Sequence, residues 1–234
     1  MKPLAVLGLS AALLTGCGGP STSAIPSVSP TVSPSGTSSD CAALQQESVT
    51  GGVSSDWSGA NLANCDLSGL SLDERKFVGA DLSGADLSGA NLFIADLTNA
   101  NLTGANLAGS LANSLLLNGA NLTDANLTGA DLESADFIGA NLTRANLTNA
   151  NLAVADFSGA NMTDANLSSL DLLAVNFGGA GLVGANLTGV RGGDTSFAGA
   201  NLTNANLSGA DFNFVDLTGA NLTNANLTSV TYCE

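Results

Sequence analysis

The chain has 234 residues, with five Lys and Arg against 20 Asp and Glu, no His, and a formal charge of −15. So few cations disfavour direct nucleic-acid binding, and the missing imidazole removes the commonest general base and metal ligand. The four cysteines lack the paired spacing of a zinc site, so no metal or cofactor is expected, and no nucleophile–base set marks an enzyme.

Residues 1–17 read as a targeting segment. Lys2 precedes an apolar run from Leu4 to Leu14 that is too short to span a bilayer. The run ends in Leu14-Thr15-Gly16-Cys17, which resembles a bacterial lipoprotein signal; an ordinary cleaved secretory signal is the alternative. The resemblance implies lipid attachment at Cys17. It places the protein in the bacterial cell envelope, membrane-anchored and facing outside the cytoplasm. Residues 18–39 form a Ser/Pro/Thr linker with Pro20, Pro26, Pro30 and Pro34, expected to be disordered and to act as a tether. Residues 40–54 are expected to form an N-terminal cap, a short helix that Asp40 opens and Gly51-Gly52 ends.

From residue 55 to 234 the chain keeps one five-residue phase without insertion or deletion. It is clearest from Ala200 to Leu227, which reads ANLTN ANLSG ADFNF VDLTG ANLTN ANL. A period of five suits neither a helix nor simple strand alternation. It does suit a coil built from short extended sides. Ala and Leu, two positions apart, then point inward, Asn or Asp between them points out, and the next pair turns a corner. Trp57, Phe77, Phe137, Phe157, Phe177 and Phe197 share one column when the chain is folded at twenty residues. Leu97, Leu117 and Leu217 fill other places in it. Four sides per turn and about nine coils follow, a parallel β-helix roughly 43 Å long at strand spacing.

The repeated A(D/N)Lxx pattern over 55–234 resembles the pentapeptide-repeat family. That resemblance implies an all-β, right-handed quadrilateral parallel β-helix, a pentapeptide-repeat solenoid. Among the proteins it resembles are acidic rods that mimic duplex DNA, bind topoisomerase and form dimers through their terminal coils.

The four sides are not alike. Those beginning at Ala60 and Cys65 stay near consensus, whereas those beginning at Leu70 and at Ser55 or Arg75 collect the deviations. On the diverged pair Val78, Phe93, Ile94, Ile138, Val154, Leu173 and Phe214 take outward positions. They are either an interaction face for an unknown protein partner or scattered surface hydrophobes. Asp56, Asp96, Asp136, Asp156 and Asp216 share an outward column, with Asp131, Asp171 and Asp211 in the next. They read as a recognition stripe, weak Ca²⁺ sites or solvated acids. Gly192 and Ala112 sit in large-residue slots and are expected to leave the core short of side chain, Phe212 filling part of the first gap.

Cys41 in the cap and Cys65 in an inward slot of the first coil are placed for a disulfide, while Cys233 lies at the far end. The last coil turns Leu217, Leu222, Leu227 and Tyr232 inward with no cap after them. A homodimer through this C-terminal coil, with Cys233 near its interface, is expected; a monomer with a frayed end is the alternative. The functional expectation is a non-catalytic, lipid-anchored rod of the envelope acting in protein interaction or structure. Its alternatives are a topoisomerase-binding DNA mimic, if cytoplasmic, or a binder of a repetitive surface such as glycan or ice through Thr103, Thr123, Thr143 and Thr163.

Overall fold

The computed structural model describes residues 38–50 and 56–232. Over the second span every five residues make one side: a bridge residue, an inward residue, a two-residue turn and another inward residue. The bridges are all parallel and each joins a residue to the one twenty later, as in Asn61 with Asp81 and Asp81 with Asn101. Twenty residues in steps of five therefore close a four-sided turn. We number the sides from 60, 65, 70 and 75 as one to four, and 56–59 belongs to side four.

The backbone bonds explain why so short a side is stable. The Leu62 N–H donates to the Asp81 carbonyl at 2.7 Å, and the Asp81 N–H donates back to the Ala60 carbonyl at 2.9 Å. Most corners are closed by a bond such as Cys65 N–H to the Leu62 carbonyl at 3.1 Å. The residue before that donor has positive φ, for example Asn64 at 57° and Gly69 at 64°. Glycine and asparagine adopt that left-handed conformation most readily, which is why they recur there.

Inside, the small and large slots form continuous buried columns from Trp57 to Val215. Phe137, Phe157, Phe177 and Phe197 stack ring on ring with centroids 4.4, 5.2 and 4.8 Å apart. Phe212 joins the end of the stack, tilted by 34° against Phe197 at 5.7 Å.

Helix α1 spans Ser38–Thr50, two residues more at its start than the sequence pattern suggests. Asp40 therefore lies in the first helical turn, where its carboxylate favours the positive end of the helix dipole, instead of opening the helix. Leu44 of α1 is fully buried in the same core as Trp57.

The expected gap at Gly192 is not open. A methyl group on its Cα would run into Cγ2 of Val215, the inward residue that opens side four of the following turn. Phe212 is buried beside the stack, and it is the branched Val215 side chain that reaches the glycine. Gly192→Ala is thus expected to destabilise by about 1–3 kcal/mol, as overpacking does. A rise in the urea midpoint for this variant would show that room exists.

Candidate functional site

Sides one and two are a self-contained polar lattice. Asn121 Oδ1 accepts the Thr123 N–H at 3.2 Å and its Oγ1–H at 2.7 Å, holding its own corner. The next asparagine along, Asn141, reaches back with Nδ2 to Thr123 Oγ1 at 2.9 Å and Asn121 Oδ1 at 3.2 Å. Thr103 and Thr143 are used in the same way, each donating to its own asparagine and accepting from the following one. Thr163 donates to Asn161 at 2.8 Å. Hydroxyls occupied within the lattice have less to offer an ice or glycan surface.

Sides three and four differ in kind. Phe93, Ile94, Ile138, Val154, Leu173 and Phe214 are all exposed, Phe214 most of all at 70%. Val78 is a correction: it is half-buried and so is not part of an open face. The sequence reading also missed Leu111, 53% exposed, although its place in an Asn/Asp slot marks it as outward. Phe93, Ile94, Val154, Leu173 and Phe214 lie in the turn where side three meets side four, Leu111 stands in an outward slot of side three, and Ile138 lies in the turn where side four meets side one.

That corner is unusual in its backbone. On side four the left-handed position is Gly59, Gly79, Asn99 and then glycine through Gly219. At the end of side three no glycine occurs from Glu74 to Phe214, yet each left-handed position keeps φ between 53° and 62°. Ile94 has φ 55°, Val154 62° and Phe214 61°. Bulky and β-branched residues resist this conformation, at a cost of about 1–3 kcal/mol each. Val154→Gly is therefore expected to stabilise the protein by about 1 kcal/mol, because the strain of the branched residue is removed. A loss of stability in chemical denaturation would contradict this.

The aspartate columns are built into the turns. Asp56, Asp96, Asp136, Asp156 and Asp216 each accept the N–H two residues on through Oδ1, at 2.8–3.2 Å. The same acceptor role falls to asparagine elsewhere, so the acid is one of two residues that satisfy the corner. Hydrogen bonds from the Ser58 side chain and backbone hold the Asp56 carboxyl below its ordinary value, and those from Thr218 do the same for Asp216. A depressed carboxylate adds stability above its unfolded value, and that contribution is lost as pH falls through its folded value. On side one, Asp124 is lowered mainly by its hydrogen bonds from Arg144, whose Nε lies 2.6 Å from Oδ1.

At the N-terminal end the structure links Cys41 of α1 to Cys65 in a disulfide, with Cα atoms 5.6 Å apart. Arg75, in a slot where alanine is the rule, is buried and pairs through Nη1 with Glu47 Oε2 at 3.3 Å. Gln45 Nε2 donates to the Asp66 carbonyl at 2.6 Å. At the other end Leu217 and Leu222 are half-buried, while Leu227 and Tyr232 are exposed at 47% and 53%. Cys17 and Cys233 lie outside the described residues. Among the described residues no helix is long and apolar enough to cross a membrane.

A four-sided parallel coil with a five-residue period defines a class of solenoid protein. The family model for pentapeptide repeats matches residues 55–92, 95–111, 116–152, 150–189 and 194–231, in eight copies. The chain belongs to the pentapeptide repeat family, whose fold is a right-handed quadrilateral β-helix.

Among solved structures it is similar to HetL, involved in heterocyst differentiation regulation in the cyanobacterium Nostoc sp. strain PCC 7120. Identity there is 34%, over 76% of this chain and 83% of that one, with a TM-score of 0.37. It is also similar to QnrB1, a plasmid-mediated fluoroquinolone resistance protein, at 19% identity over 76% and 92% of the two chains, TM-score 0.55. A pentapeptide repeat protein of the Arabidopsis thaliana thylakoid lumen shares 34% over 59% and 68%, TM-score 0.25. No curated protein matches the chain.

Proposed function

We propose that the protein is a non-catalytic, lipid-anchored rod of the bacterial cell envelope that works through protein interaction. The observation that carries this reading is the corner between sides three and four, where apolar side chains are displayed in a conformation that disfavours them. A purely structural rod would use glycine there, as side four does at every such position but Asn99. Non-glycine residues elsewhere in this conformation are polar, such as Arg144 and Ser169, whereas Ile, Val and Phe adopt it at this corner alone, which supports a role for that surface. The anchor rests on Leu14-Thr15-Gly16-Cys17, and the Ser/Pro/Thr-rich stretch that precedes α1 supplies the reach. Helix α1 serves as the cap of the first turn, tied to it by the disulfide and by Arg75–Glu47.

Duplex-DNA mimicry fits the charge of −15 less well once this ridge is considered, because a phosphate backbone has no counterpart to a line of Ile, Val and Phe. The apolar ring of Leu217, Leu222, Leu227 and Tyr232 supports end-to-end self-association as a second contact. Light scattering that finds only monomer over the whole concentration range would remove that contact. For the anchor, Cys17→Ala is expected to move the protein from the membrane to the soluble fraction or to stall its processing. An unchanged membrane fraction and unchanged mass would overturn it.

A further inference from the structure

We infer that the ridge between sides three and four is a docking track for an extended protein segment carrying apolar side chains among lysines or arginines. This deepens the interaction reading above and rests on it. Ile94, Val154 and Phe214 occupy the same corner position at intervals of sixty residues, which is three turns of the rod. At strand spacing that interval is roughly 14 Å. Four residues of an extended chain cover about the same distance and bring the side chain back to the same side. An apolar residue at every fourth position of such a segment would therefore meet all three in turn.

Charge selects the rest of the partner. Asp171 and Asp211 lie outward on side three, Asp136, Asp156 and Asp216 on side four, and Glu74 and Asp194 at the corner itself. Lys76 and Arg191 are the outward cations on these two sides, Arg75 being turned inward to Glu47, so the ridge is apolar with an acidic border. A second copy would bring the same acidic border, and an anionic lipid surface would bring phosphate, so like charges oppose both. A basic segment gains at the border and at the apolar line together.

The test uses the full chain and a labelled twelve-residue peptide with leucine at every fourth position and lysine or serine between. Two control peptides carry glutamate for lysine or serine for leucine. The lysine–leucine peptide is expected to bind at least about tenfold more tightly than either control. Combining Ile94→Ser, Val154→Ser and Phe214→Ser is expected to weaken it by about tenfold or more. Ser114 and Ser134 already hold this corner at φ 55° and 58°, so the triple variant keeps the fold. Equal binding to the variant, or equal binding by the glutamate peptide, would overturn the track.

A second arm places benzoylphenylalanine at Phe214 or, on the diagonally opposite corner, at Thr143, and irradiates cells carrying the protein. Adducts with another protein from the Phe214 position and not from Thr143 are expected, with a basic, apolar segment at the crosslink. Adducts from Thr143 alone would overturn the ridge and leave the interaction rod standing. No adduct from either position would sink both. Crosslinks to lipid or to a second copy would overturn the stated occupant.

Discussion

Phe157→Ala is expected to destabilise the rod by about 3–5 kcal/mol. Its ring is fully buried and lies between Phe137, 4.4 Å away and 10° from parallel, and Phe177, 5.2 Å away and 14° from parallel. Removing it strips both neighbours of a stacking partner in the middle of the column. The backbone on either side is pinned by bonds such as Phe157 N–H to the Asn176 carbonyl at 2.7 Å, so the cavity cannot easily collapse. Phe157→Leu should lose far less, under about 1.5 kcal/mol, because volume is largely kept and leucine already fills this column at Leu97 and Leu117. Each turn touches only its neighbours, so the loss should be local. Urea denaturation followed by circular dichroism, with amide exchange across residues 137–197, reads both quantities. A loss below about 1 kcal/mol for the alanine variant would mean that the stack is not a main source of stability.

The second large effect concerns the opposite kind of contact, one that ties distant parts of the chain. Cys41→Ser is expected to weaken the attachment of α1 to the rod by about 3 kcal/mol, from a link closing a sequence separation of 24. Loss of the link also puts Arg75 at risk. Its guanidinium is buried in an alanine slot, and Glu47 of α1 supplies an anion for it. A buried cation whose counter-ion leaves must be solvated by partial opening of the first turn. Trp57, the one tryptophan in the chain, is buried in that turn and reports the event. Its emission should shift to the red at lower urea in Cys41→Ser, and in the natural protein under reductant, before the β signal of the far turns changes. Coincident transitions with and without reductant would show that the disulfide contributes little.

How much of this was legible beforehand follows from the nature of a solenoid. Each side of five residues repeats one local problem, so inward Leu, outward Asn and a corner glycine carry the same meaning everywhere. The twenty-residue column of Phe137, Phe157, Phe177 and Phe197 could be read because an aromatic ring needs a partner of matching size in the next turn. The same logic separated the consensus sides from the diverged ones.

Other features needed the three-dimensional packing. Gly192 looks like a vacancy in the pattern, but Val215, twenty-three residues further along, lies against it, and a five-residue rule does not carry that contact. Arg75 looks like a defect until Glu47 of α1 is brought beside it. Val78, at a corner, is partly covered while Leu111, in an outward slot midway along side three, is open, because exposure depends on the neighbouring turns as well as on the slot. The left-handed backbone of Ile94, Val154 and Phe214 was hidden for the same reason. Residue identity alone would steer Ile and Val away from positive φ; the ladder of bonds to both adjacent turns forces the corner into that conformation whatever residue stands there.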